Sequence, residues 1–240
     1  MRTDLPSLVV HDSARDPEAD IWFAEPAGFT AVPLDVLLNV PDSPESDPFH
    51  VALGPVLDTA PDELARQRFL AHVGAARHLL SALCEAGTVY CAIGLHRDDT
   101  DVDRDAPGEE ATARAGDAGR PLLSFLTLSW RDIAIAPPSV TAARAVASGE
   151  GAPHTRVEYV EGLACGPVSL SETVRTPVPG GLGAGPLLQI HAHLPHPDGR
   201  RIAVLTLSTR ATHRRDDYRR ILRGGIELVS FENPLPPGAV

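Results

Sequence analysis

Residues 187–209, LLQIHAHLPHPDGRRIAVLTLST, decide the fold, because two alternating runs flank a Pro-His-Pro-Asp-Gly-Arg turn and fix their own strand register. With Asp198-Gly199 at the tip, antiparallel partners share a constant sum of residue numbers. Ile190 then faces Leu207, Ala192 faces Leu205 and Leu194 faces Ala203, all on one apolar face. The opposite face carries Gln189, His191 and His193 across from Ser208, Thr206 and Val204. A slip of one residue would scramble that separation, so the hairpin has one sensible pairing.

Outward from the hairpin, the chain reads as short elements joined by long connections. Leu187 follows a loop with glycines at 180, 181, 183 and 185, and Thr212–Arg223 reads as a helix with Ile226–Phe231 as a closing strand. On the N-terminal side, Arg156–Val160 and Pro167–Val178 read as strands and Ser139–Ser148 as a short helix. Thr88–His96 and Pro121–Ile135 read as long strand partners. The clearest helix signal is Pro61–Ala86, with proline in its first turn, acidic Asp62 and Glu63 at the positive end of the dipole and Gly87 as a stop. Phe69, Val73, Ala76, Leu80, Leu83 and Cys84 form its apolar stripe, flanked by His72 and His78. Asp20–Ala24, the turn Glu25-Pro26-Ala27-Gly28 and Phe29–Leu34 suggest an N-terminal hairpin. The prolines between Leu37 and Leu57 mark a connection. The expected organisation is a loosely ordered arm over 1–19, one α+β domain over 20–234 with a mobile acidic loop at 97–119, and a tail over 235–240.

Composition narrows the function. All 21 basic residues are arginine, which excludes Schiff-base lysines and a phosphate-binding P-loop lysine. A formal net charge of -11 argues against a general nucleic-acid or anionic-membrane binder. Cys84, Cys91 and Cys165 lack the spacing of a zinc or redox motif and read as reduced thiols. With no secretory leader pattern in the first twenty residues and no transmembrane run, the expected location is the cytoplasm, without membrane insertion.

Several constellations imitate functional sites. Asp99, Asp101, Asp103, Asp105 and Glu110 have the ligand spacing of an EF-hand loop, but Arg104 stands where its sharp turn needs glycine and the preceding segment reads as a strand. The glycine-rich run at 180–185 leads into a strand instead of a helix, which defeats a dinucleotide reading. Cys91 and His96 fall on opposite faces of one strand, too far apart for a thiolate and its base. His191 and His193 share a face and could ligate a metal, yet nothing local supplies a third ligand, so no metal, cofactor or catalytic residue is assigned. Arg214, Arg215, Arg219, Arg220 and Arg223 make one basic helix in an acidic protein, suited either to the helix dipole or to an acidic partner.

The order of elements resembles the PsbP-like α/β/α sandwich group, including the LpqN-type proteins of actinobacteria. The residues that carry the likeness are Phe23-Ala24-Glu25-Pro26-Ala27-Gly28-Phe29 at the start and Leu205-Thr206-Leu207-Ser208-Thr209, Tyr218, Ile221 and Phe231 at the end. The resemblance implies a largely antiparallel sheet flanked by helices and a non-enzymatic accessory or protein-binding module of unidentified partner. It carries over no catalytic residues. The lipoprotein members' lipidation cysteine has no counterpart in this chain. The partner-binding candidates are Arg215, Arg219 and Arg220. The alternatives are a small-ligand-binding protein or metal-dependent enzyme using Gln189, His191, His193, Thr206 and Ser208, or a structural component of a secretion or contractile assembly.

Overall fold

The computed structural model describes residues 9–10, 20–26, 28–32, 34, 63, 67, 83–97, 121–147, 154–175 and 185–233. Among them, strands β3 (Phe29–Ala31), β4 (Thr88–Arg97), β5 (Pro121–Asp132), β6 (Arg156–Val160), β7 (Val168–Arg175), β8 (Leu187–Pro195) and β9 (Arg201–Thr209) form one sheet in the order β3-β4-β5-β9-β8-β7-β6. Every neighbouring pair is antiparallel. The β8–β9 register matches the sequence reading, with Ile190 opposite Leu207, Ala192 opposite Leu205 and Leu194 opposite Ala203. Gly199 turns the tip at a φ of 69°, a left-handed conformation that glycine adopts without Cβ strain.

Helix α1 (Pro138–Ala147) lies against β7 and β8, while α2 (Arg215–Ile226), entered through a 3₁₀ turn at Thr212–Arg214, lies against β8 and β9. The two helices cover opposite faces. Tyr218, Leu222 and Ile226 recur every fourth residue on α2 and join Leu126, Leu188, Ile190, Ala192 and Leu207 in the main core. On the other face, Ser169 Oγ donates a 2.7 Å hydrogen bond to the Ala142 carbonyl and fastens α1 to the sheet. The fold is therefore α+β, a largely antiparallel sheet flanked by helices.

Two expected elements differ in the structure. Ile226–Phe231 is not a closing strand: the helix runs on through Gly224 and Gly225 because Ile226, fully buried, extends the stripe of Tyr218 and Leu222 by another turn. A single bridge from Ser230 to Trp22 is the extended pairing of that segment. Nor do 20–34 form a hairpin with themselves. The two-residue strand β2 (Ala24–Glu25) pairs with β1 (Val9–Val10), whereas β3 pairs with β4. The turn at Gly28 diverts the chain from one sheet to the other, so part of the arm over 1–19 is a strand.

Residues 63, 67 and 83–85 are helical, and Gly87, at a φ of 89°, closes the turn after 83–85 with its N–H on the Cys84 carbonyl. The rest of the expected 61–86 helix, the connection after Leu37, the EF-hand-like segment and glycines 180–183 lie outside the described residues.

Candidate functional site

Strand alternation sends one set of side chains from each strand away from the main core. On β7 these are Ser169, Ser171, Thr173 and Arg175; on β8, Gln189, His191 and His193; on β9, Val204, Thr206 and Ser208. Register continues the face into β5, where Arg131 sits opposite Ile202. Helix α1 roofs only part of this surface. What it leaves is a cleft of ≈ 640 Å³, within the size range of small-molecule sites.

Its walls come from every element around it. Arg131 and Ile133 enter from the end of β5, Thr141 and Arg144 from α1, and His154 from the segment before β6. Thr173 and Arg175 of β7, His191 and His193 of β8, and Ile202 and Val204 of β9 form the floor. The three arginines are exposed and make a cationic rim. None of the residues lining the cleft is a carboxylate, and among the described residues no carboxylate pairs with Arg131, Arg144 or Arg175.

The two histidines of the floor are uncharged at neutral pH. Burial, followed by His193, Arg175, His154 and Arg131 nearby, pushes His191 down to about 4. Burial also pushes His193 down to about 4, helped by Arg131 and His154 and opposed by a hydrogen bond with the Ser169 backbone. The two rings lie 6.0 Å apart between centroids, tilted by 42°. His191 Nδ1 shares a 3.0 Å hydrogen bond with Thr206 Oγ1. Several buried atoms in the lining have no hydrogen-bond partner: Thr173 Oγ1, His193 Nδ1 and both ring nitrogens of His154.

The expected ligand face is thus divided. His191 and His193 line the cleft, whereas Gln189, Thr206 and Ser208 do not. Gln189 Nε2 donates instead to Ser208 Oγ at 3.3 Å, and Thr206 is taken up by His191. Arg131, Arg144, His154, Thr173 and Arg175 were not among the expected residues. For Arg131 and Arg175, alternation along their own strands was the available signal. No group of three or more His, Cys, Asp or Glu among the described residues is placed to hold a metal ion.

The expected partner-binding arginines lie across the sheet. Arg219, only 6% exposed, donates to Glu158 Oε2 at 2.8 Å and lies 3.8 Å from Glu172 Oε2. Arg215 pairs with the buried Glu172, Arg223 with Glu158, and Arg220 with Asp217 at 3.0 Å. Arg215, Arg219 and Arg223 form an i, i+4, i+8 row meeting carboxylates of β6 and β7, so the helix uses these charges to bind its own sheet. Arg220 alone of the three candidates is left largely in solvent. No family model matches the chain, and no curated protein or solved structure matches it either.

Proposed function

We propose that this protein is a small-ligand-binding module that holds its ligand in the cleft between α1 and the polar face of β7, β8 and β9. The observation that carries the reading is the convergence of unpartnered buried polar atoms, Thr173 Oγ1, His193 Nδ1 and the His154 ring nitrogens, on a cleft of ligand size. A buried hydroxyl or imidazole without a partner costs stability, and such groups are uncommon in folded proteins unless something else satisfies them. Water can do so in the free protein, and a ligand's polar atoms can replace that water on binding.

The reading invokes binding without a catalytic step. It takes up His191 and His193 from the expected ligand face and leaves the arginines of α2 with a structural task. Fold analogy to the PsbP-like group adds support of a general kind, since an antiparallel sheet between helices suits an accessory module. A cytoplasmic setting is part of the proposal, supported by the free thiols of Cys84, Cys91 and Cys165. No helix among the described residues is long and apolar enough to cross a membrane.

A test is amide-resolved NMR of the whole chain titrated with a chemically mixed library of small molecules. Saturable shifts centred on Thr173, His191 and His193 are expected for at least one compound class. Shifts scattered over the surface, or none in the cleft, would overturn the proposal.

A further inference from the structure

We infer that the cleft receives a compact organic anion carrying at least two negative charges. The inference rests on the proposed ligand-binding role and adds the ligand's chemical class. It begins from the charge inventory. Three guanidiniums, Arg131, Arg144 and Arg175, surround one opening without a carboxylate in the lining, in a chain whose acidic residues outnumber its basic ones by 32 to 21. Elsewhere the same protein matches its arginines with its own acids: Arg215 and Arg219 have Glu172, Arg223 has Glu158, and Arg201 has Asp20 and Asp198. Arg131, Arg144 and Arg175 have no such match among the described residues.

Charge number follows from the same inventory. A monoanion would leave two guanidiniums still repelling each other, whereas a species with two or more charges can engage several at once, each fork giving paired charge-assisted hydrogen bonds. The floor complements the rim. Thr173 can donate its hydroxyl and each neutral imidazole can donate one N–H, so oxygen atoms entering the cleft meet donors below as well as charge above. Ile133, Ala134, Ala136, Ala145, Ile202 and Val204 supply apolar wall for a carbon framework. Together these favour an organic anion over a bare inorganic ion. Phosphate esters and polycarboxylates share this chemistry, and separate probes distinguish them.

The experiment is titration of the whole protein with pyrophosphate, glucose 6-phosphate, citrate, acetate and erythritol, read by NMR shifts at Thr173, His191 and His193 and by calorimetry. At least one of the three polyanions should bind at least about tenfold more tightly than acetate, and erythritol should not bind. Tighter binding by citrate assigns a polycarboxylate, and tighter binding by the phosphates a phosphate ester. Affinity should fall as salt rises from about 50 to about 300 mM. Arg131→Gln and Arg175→Gln should each weaken the best probe about tenfold or more. Arg220→Gln, on the opposite side of the sheet, should leave it unchanged. Because the rim arginines are exposed and have no carboxylate partner among the described residues, these variants should fold normally, and unchanged melting temperatures confirm that a loss is one of binding.

Polyanion binding insensitive to Arg131→Gln and Arg175→Gln would overturn the inference, as would failure of all three polyanions. If polyanions fail while neutral library compounds shift the cleft residues, the ligand-binding proposal survives and the anion class falls. If nothing shifts them, both fall.

Discussion

The two faces of this sheet carry arginines in similar number and treat them in opposite ways. Beneath α2, Arg215, Arg219 and Arg223 meet Glu158 and Glu172, and Arg156 meets Asp216 across the same boundary. Beneath α1, Arg131, Arg144 and Arg175 meet no acid among the described residues, and the polar atoms under them are partly unsatisfied. The first arrangement is closed in charge: Arg215, Arg219 and Arg223 each meet a carboxylate within the chain, although Arg219 Nη1 and the Tyr218 hydroxyl have no hydrogen-bond partner among the described residues. The second is open, and an open set of charges needs a counterpart from outside to become complementary. That difference separates a structural ion-pair row from a binding site made of the same residue type.

The largest expected effect breaks the closed side. Glu172 is 1% exposed and sits on the core face of β7, held by Arg215 and Arg219. Glu172→Ala removes a partner from the buried Arg219 guanidinium and should cost about 3 to 5 kcal/mol, measured by urea denaturation. The double variant Glu172→Leu with Arg219→Leu should recover much of that loss, because it leaves no buried charge unmatched. If the single variant is harmless, the row does not hold α2 to its sheet.

The next effect belongs to the open side. His191 and His193 are held near 4 in the folded protein by burial and by the surrounding Arg131, Arg175 and His154, against about 6.5 in the unfolded chain. The unfolded state therefore takes up protons first as pH falls, and stability drops between about pH 6.5 and 4. Allowing for partial exposure, the pair should account for roughly 2 to 3 kcal/mol of that drop. Urea denaturation at pH 7 and near pH 4.5 should show a shallower loss in the His191→Gln, His193→Gln double variant. Equal losses in variant and wild type would show that these imidazoles are not held neutral.

Much of the closed side was legible in the sequence, because strong local patterns dictated it. The Leu187–Thr209 hairpin fixes its register through alternation and one glycine turn, and the structure pairs it as read. Alternation in Pro121–Asp132 and Val168–Arg175 likewise fixes which side chains share a face. What alternation cannot supply is strand order. Arg131 and His193 approach one cleft only because β9 lies between β5 and β8, a non-local arrangement unmarked in either segment. Arg144 reaches it through the docking of α1 and His154 through the entry into β6, and both depend on tertiary contacts. The helix row is the opposite case: the i, i+4, i+8 spacing of Arg215, Arg219 and Arg223 was visible, but its acids lie 43 to 65 residues upstream on two other strands. The expected closing strand failed because Gly224-Gly225 resembles a helix stop, whereas the burial of Ile226 carries the helix past it.

A smaller effect tests whether the polar floor is maintained at the expense of stability. Thr173 is 4% exposed and its hydroxyl has no partner, so Thr173→Val keeps the side-chain shape and removes an unsatisfied group. The variant should gain about 1 kcal/mol of stability, seen as a raised thermal midpoint. It should also bind polyanions less tightly than the wild type. A loss of stability would mean that the hydroxyl already has a partner in solution.

The smallest effect makes the comparison sharpest, because it asks similar residues on the two faces to behave differently. Arg131, Arg144 and Arg175 are exposed and have no carboxylate partner among the described residues, so replacing any one with glutamine breaks no ion pair among those residues. Each single variant should change stability by no more than about 0.5 kcal/mol, with a shift toward greater stability if relief of mutual repulsion dominates. The effect should shrink in high salt, where repulsion between exposed charges is screened. Arg219→Gln, by contrast, removes the buried one of two guanidiniums from both Glu172 and Glu158 and should destabilise at any salt concentration. If Arg131→Gln or Arg175→Gln destabilises as strongly as Arg219→Gln, the arginines of the cleft have partners within the chain, and the open face becomes as closed as the other.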